Sequence, residues 1–562
     1  WFQGSHYTEP DPARVLPLYH KMGFRHCTPG VKPAPELFRK YQVTPSMMGY
    51  MGRATATNKL PWATFMTNWP TVKTAMIFHE TGIKGLSTAL PHELTGFPPE
   101  PFSDEQRAQF NALRAKIEEQ SAAIRSLDPE MKIMVGNGGT LFNSLWFREK
   151  LPTNLWDYCG LEMGIQTMHP EGQPTGWNSQ SFWIARQMAN FHGYTNFPVT
   201  TCFEVDYRST GPGGLSFKRQ ADWYARDVLH MLAWRSPHIN VALLIDVNAS
   251  YYTSRWGATG VFQRSHLHLP KPAFVSLATL TLMLDGAEYQ RTVPTGSTGV
   301  YCLEFRKRRD HVYAIWCSRG ARPVELALDG RPGRAVDSMG RDLGLRYQRG
   351  RVSVPATESP CYVTTRRPVT GIALGAPAHE MVRLAEPQVV DPMRGTAEWR
   401  LVAEGDEKFG NYCLYWPMVK GDIVAEKMAG APADGAAGGI RLTLRPQPGV
   451  RDIVGRYAVL EPAAGPRPIA GRPDTLGVWV NGNSGWGRIY FEFIDALGQR
   501  WISNRSEGVD WDISDWEGET SINHDGWRLV SLPLPACYAS GYYKPSMRHW
   551  RCIGKDGMEQ EG

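Results

Sequence analysis

Over roughly the first 290 residues, short apolar runs alternate with segments whose apolar residues recur at helical spacing, the pattern of a parallel α/β fold. The runs predicted as strands are 1–6 (WFQGSH), 23–27 (GFRHC), 43–51 (VTPSMMGYM), 74–80 (TAMIFHE), 132–137 (KIMVGN), 158–166 (YCGLEMGIQ), 199–205 (VTTCFEV) and 240–247 (NVALLIDV). Between them the spacing predicts helices over 11–22, 103–127, 216–235 and 271–284. Asp11 stands as N-cap ahead of Pro12, and Ser103 with Gln106 has the form of a capping box. Strand–helix units in this succession predict an α/β chain whose residues 1–290 form a (β/α)8 TIM barrel.

After residue 290 the period changes to two. Runs such as VYCLEFRKR, HVYAIWCSR, VELAL, RVSVP and CYVTTR predict an antiparallel β-sandwich over 291–370. The Pro/Gly/Ala stretch 368–378 (PVTGIALGAPA) reads as a linker. Residues 371–562 read as an all-β, jelly-roll-like accessory domain, a candidate carbohydrate-binding domain because Trp486, Trp511, Trp516 and Trp527 fall in its strand-and-turn pattern. A low-complexity stretch, 429–439 (AGAPADGAAGG), interrupts it.

Composition narrows the class. Charged residues are 21% of the 562 and the formal net charge is +6, with no basic block longer than FRKRRD at 305–310, so the chain carries no nucleic-acid signature. No run approaches the roughly 18 apolar residues of a membrane span. The nine cysteines have neither CxxC nor Cys/His spacing, which argues against a metal site, and their odd number and scatter predict mostly free thiols, with a bridge such as Cys302–Cys317 open across neighbouring strands. Twenty Trp and 22 Tyr suit a flat, polar-edged ligand such as a sugar.

In a barrel every strand ends at the same mouth, where polar strand-end residues do chemistry. Two carboxylates each close an apolar or β-branched run: Glu80 in MIFHET and Glu204 in TTCFEV. A protonated and an ionised carboxyl group about 5 to 5.5 Å apart cleave a glycosidic bond with retention. The candidate substrate-binding residues around them are Arg25 and His26 on the second strand, His79 on the fourth, Asn137 on the fifth, Gln166 and His169 after the sixth, Tyr207 on the seventh, and Tyr251 and Trp256 beyond the eighth. Arg25 and the histidines point to an acidic or sulfated sugar. Asp246, inside LLIDV, reads as a brace.

The stretches FPVTTCFEVDYR and RQADWYARDVLHMLAW, then LIDV…YYTSRWGATGVF…PKPAFVSLATLTLML, and SAAIRSLDPEMKIMVGN, resemble the family 39 group of clan A glycoside hydrolases, which includes β-xylosidase and α-L-iduronidase. The resemblance covers roughly residues 1–370. It implies a barrel with Glu80 as acid/base on strand four and Glu204 as nucleophile on strand seven. It also implies a carbohydrate substrate and no cofactor or metal. One departure stands out: the resembling enzymes keep an Asn before the acid/base, and this chain has His79. The expected location is secreted or periplasmic, although no signal-peptide pattern is visible at residue 1. The sequence specifies no oligomeric state.

Overall fold

The computed structural model describes residues 11–27, 35–45, 59–78, 83, 92–96, 101–137, 140–165, 169–172, 180–206, 215–241, 244–246, 258–263, 269–380, 387–402, 418–428, 438–451, 454–503, 520–534 and 551–554. They fall into two compact units, 1–87 with 100–378, and 88–99 with 379–562.

Local sequence starts and stops the helices of the first unit. Helix α1 (Pro12–Lys21) begins where the Asp11 carboxylate accepts the Ala13 N–H at 2.9 Å, with Pro12 in the first turn. Short helices α2 (Pro35–Tyr41), α3 (Leu60–Asn68) and α4 (His92–Thr95) follow, and α4 belongs to the second unit. Helix α5 (Asp104–Leu127) opens on the capping box: Gln106 N–H donates to Ser103 Oγ at 3.1 Å and Ser103 N–H to Gln106 Oε1 at 3.0 Å. Helices α6 (Thr140–Arg148), α7 (Gln180–Phe191), α8 (Phe217–Ala233) and α9 (Pro272–Leu284) complete the set among the described residues.

The strands of this part are parallel. Strand β1 (His26–Cys27) pairs with β2 (Thr44–Pro45), and β3 (Thr74–Met76), β4 (Lys132–Asn137), β5 (Tyr158–Ile165) and β6 (Val199–Asp206) lie side by side in that order. A helix links each pair of neighbours from β3 to β6, the crossover that parallel pairing demands. The run 1–6 lies outside the described residues. The run expected as a strand over 240–247 lies beside β6, where Asn240 N–H donates to Thr201 Oγ1 at 2.8 Å, but forms no ladder among the described residues. Its end meets the returning chain instead: Asp246 N–H donates to Phe262 O and Phe262 N–H to Leu244 O, both at 2.9 Å.

Residues 288–374 form two antiparallel sheets on one core. Strands β7 (Glu288–Thr292), β8 (Val300–Lys307), β9 (Asp310–Cys317), β10 (Arg322–Ala327), β11 (Ala335–Val336), β12 (Tyr347–Gln348), β13 (Arg351–Ala356), β14 (Cys361–Thr365) and β15 (Gly371–Leu374) arrange as β11-β14-β9-β8-β7 facing β12-β13-β10-β15. The layer between them takes alternate positions from each strand: Val300, Cys302, Tyr313, Ile315, Val324, Leu326, Val352 and Val354 are all buried there. The alternation of β13, exposed at Arg351, Ser353 and Pro355 and buried at Val352, Val354 and Ala356, is the period of two made physical.

One expectation is corrected here. The stretch 368–378 is no simple linker, because Gly371–Leu374 pairs with β10 and turns Ile372 and Leu374 onto the core. Cys302 and Cys317 are free thiols, as are Cys159 and Cys361, in keeping with the mostly free thiols expected and without the Cys302–Cys317 bridge. In the β8–β9 register Cys302 faces Ile315 and Cys317 faces Val300, a diagonal placement about 7 to 8 Å apart, longer than a disulfide spans.

In the second unit, Thr475–Asn483 pairs with Asp525–Pro533, and Glu492–Ile494, Arg500–Ile502 and Arg551–Gly554 form a three-stranded sheet. Trp479, 42% exposed, and Trp527, half-buried, lie on the first pair, and Trp486 takes a left-handed turn at φ 57°. Trp511 and Trp516 lie outside the described residues. No helix among the described residues is long and apolar enough to cross a membrane.

Candidate active site

Parallel pairing brings the ends of β3, β4 and β6 to one edge of the sheet. The run Thr74–Phe78 is buried throughout, and Ile77 N–H continues the ladder to Met134 O at 2.9 Å. Glu80 follows two residues later, outside the described residues, as does His79. Asn137 is the last residue of β4, in register with Leu161. Glu204 lies in the last three residues of β6, where the register against β5 shifts between Leu161 and Met163 and again before Ile165. Gln166, Tyr207, Tyr251 and Trp256 also lie outside the described residues.

Arg25 and His26 lie at the start of β1 rather than at its end. The end of α1 consumes the residues expected to begin that strand: Gly23 at φ 74° donates to His20 O at 3.0 Å and Phe24 N–H to Tyr19 O at 3.1 Å, the two bonds of a Schellman cap. The strand therefore starts at His26, level with Thr44, the first residue of β2. Arg25 is exposed, with Nη1 3.5 Å from Gln42 Oε1, and Thr44 Oγ1 lies 3.1 Å from His26 Nδ1. His238 sits at the strand starts, 3.5 Å from Oγ1 of Thr74 and edge-on to Tyr158, the first residues of β3 and β5.

His169 belongs to a buried ion cluster between the parallel strands and the two-sheet body. Its Nδ1 lies 2.8 Å from Glu171 Oε2, and its ring packs on Trp223 at 4.9 Å. Arg226, on α8, grips Glu171 with Nε at 2.7 Å from Oε1 and Nη2 on Oε2. The Trp316 indole N–H, from β9, donates to Glu171 Oε1 at 2.8 Å, and His230 Nε2 is 3.4 Å from the same oxygen. Burial alone would raise the Glu171 carboxyl, but Arg226 and the histidines outweigh it and hold the group well below the usual carboxylate range. No pattern in the sequence pointed to this partnership, because Glu171, Arg226 and Trp316 meet only through the tertiary fold.

Asp246 is a brace: Lys271 Nζ lies 2.7 Å from its Oδ1, and both side chains are buried. Burial pushes the Asp246 carboxyl up to about 6 and the Lys271 ammonium down, while each partner's opposite charge works against that shift. Gly260 makes room for the pair, since a Cβ there would lie 2.3 Å from Asp246 N and 2.8 Å from its Oδ1. Gly260→Ala is expected to cost about 1 to 3 kcal/mol through overpacking, read as a lowered thermal midpoint against wild type.

The histidines set an acid limit. Burial pushes His26, His169 and His238 down to about 4. Above pH 6.5 they are neutral whether folded or not, and between 6.5 and 4 the unfolded chain binds protons that the fold refuses. Stability therefore falls as pH drops through that window, by about 1.4 kcal/mol per pH unit for each of the buried His169 and His238. Asp246 acts oppositely over the same window, since its raised carboxyl takes a proton in the fold first. Asp222, also raised by burial, acts with Asp246, but the three histidines, joined toward pH 4 by the depressed carboxyls of Glu171, Glu304 and Glu358, outweigh them, so the thermal midpoint is expected to fall from pH 6.5 to pH 4. A midpoint that is flat or rising over that range would refute this.

Among the described residues no group of three or more His, Cys, Asp or Glu side chains is placed to hold a metal ion. No family model and no curated protein matches the chain. Solved structures do. A family 39 glycoside hydrolase from the gut symbiont Bacteroides cellulosilyticus aligns over 64% of this chain and 79% of its own, with a TM-score of 0.50 and 12% identity, which shows a shared fold. A family 30 subfamily 8 xylanase from Clostridium acetobutylicum (67% and 95% covered, TM-score 0.40, 10% identity) and a family 39 β-xylosidase from Caulobacter crescentus (64% and 93%, 0.39, 9%) align more loosely.

Proposed function

We propose that the chain is a retaining glycoside hydrolase acting on an oligo- or polysaccharide, with Glu80 as acid/base and Glu204 as nucleophile. The observation that supports the reading is the parallel order β3-β4-β5-β6, in which the buried Thr74–Phe78 run precedes Glu80 in the chain and Glu204 falls in the last three residues of β6. The fold shared with a family 39 glycoside hydrolase supports it.

In this reading Glu204 attacks the anomeric carbon while the Glu80 carboxyl protonates the departing glycosidic oxygen, leaving a covalent glycosyl ester on Glu204. Glu80, now ionised, takes a proton from water as that water attacks the ester, which frees Glu204 and returns Glu80 to its acid form. Neither step calls on a cofactor or metal. His79, Asn137, Gln166, Tyr207, Tyr251 and Trp256 are the proposed sugar contacts, and His79 takes the hydrogen-bonding place where the resembling enzymes keep an Asn.

The test is a panel of aryl glycosides with proton NMR of the first-formed sugar. Release of the retained anomer supports the reading. An inverted anomer or an unsaturated product refutes the mechanism. The substitution at His79 favours a second reading, a catalytically inactive carbohydrate-binding protein on the same fold, which predicts sugar binding without turnover across the panel.

A further inference from the structure

A buried lysine–aspartate pair is an expensive way to fill space. Desolvating two charges costs several kcal/mol per ion, and apolar residues of the same volume often serve stability as well or better. Asp246 and Lys271 are therefore better explained by the geometry they impose than by packing.

That geometry is specific. Lys271 precedes α9 in the N-cap position, yet its side chain makes no capping bond and turns back to reach Asp246 and, at 3.2 Å, the Ala258 carbonyl. Its own N–H donates to Val261 O at 2.9 Å, and its ammonium lies 5.7 Å from the Phe217 ring centroid at the start of α8. From α8, Gln220 Nε2 approaches the carbonyls of Ala258, Thr259 and Gly260 at 3.3, 3.5 and 3.5 Å, and Tyr224 donates its hydroxyl to Thr259 O at 2.7 Å. Asp246 ends the run beside β6, and α8 is the helix that follows β6 and Glu204. The chain at 244–246, the returning chain at 258–262 and the first two turns of α8 are thus tied at one point.

We propose that Asp246 and Lys271 are positioning residues, which lock the end of the 240–246 run to α8 and so fix that flank of the site against the strand bearing Glu204. The role rests on the glycosidase reading. Neither side chain touches substrate; both act through the backbone at 258–262 and through α8.

Two variants of the full chain test it: Lys271→Met, and the double variant Asp246→Asn with Lys271→Met, which removes both charges together. Each is followed by hydrogen–deuterium exchange of peptides from 217–224 and 258–263, with α5 as the internal control, and by kcat and KM on the best aryl glycoside, normalised to active sites with a covalent 2-fluoroglycoside. In Lys271→Met, exchange is expected to rise in those two segments while α5 is unchanged, and kcat is expected to fall about tenfold to a hundredfold with KM moving much less. The double variant is expected to regain thermal stability without regaining kcat, a split that a merely structural pair would not produce. Unaltered kcat in a folded Lys271→Met, exchange raised throughout the unit, or kcat restored together with stability overturns the positioning role alone. A wild-type chain that hydrolyses no glycoside overturns the glycosidase reading and this role with it.

Discussion

Replacing Glu171 with Ala is expected to destabilise the first unit by about 3 to 5 kcal/mol, because the change strands a buried guanidinium. Arg226 is fully buried, and its Nε and Nη2 both bond Glu171. The Trp316 indole N–H and the His169 ring lose their acceptor in the same step. For a cooperative unit of this size the thermal midpoint should drop by roughly 5 °C. The paired variant Glu171→Leu with Arg226→Met should recover most of that, since removing both charges leaves no uncompensated ion. A Glu171→Ala midpoint within about 1 °C of wild type, a small fraction of the expected shift, would show that the cluster does not hold the junction.

Replacing Glu204 with Ala is expected to lower kcat on an activated aryl glycoside by about three orders of magnitude or more, because no ester can then form on the β-carbon that remains. The small cavity left beside the anomeric carbon gives this variant a signature beyond simple loss. An external anion such as azide can occupy it and attack directly, so the product should be a glycosyl azide of inverted configuration while folding is unchanged. Hydrolysis undiminished in Glu204→Ala would remove the nucleophile assignment and send the search to the other carboxylates of the strand ends.

How far the sequence carries depends on the range of the forces involved. The helix starts at Asp11 and Ser103 are legible because a cap is a matter of three or four neighbouring residues. The runs at 132–137 and 199–205 are legible because a strand buried on both faces needs an unbroken apolar stretch. The stretch after residue 368 is less so, because Gly371–Leu374 looks like a linker until β10 is there to receive it. The strand at 23–27 begins only at His26, because Gly23 serves a helix cap rather than a strand.

By itself, then, the sequence determined the alternation of strand and helix before residue 290, the switch to antiparallel strands after it, and the placing of Glu204 at the end of an apolar run. Each is a local pattern of burial that any fold containing those residues must honour. Only the tertiary structure decided that His169 joins Glu171, Arg226 and Trp316, and that Lys271 turns back to Asp246 over Gly260. Lys271 and Asp246 lie 25 positions apart along the chain, and Trp316 and Glu171 lie 145 apart. A charge can enter the interior only where a distant segment supplies its counter-charge, and no period in the sequence records which segment that is.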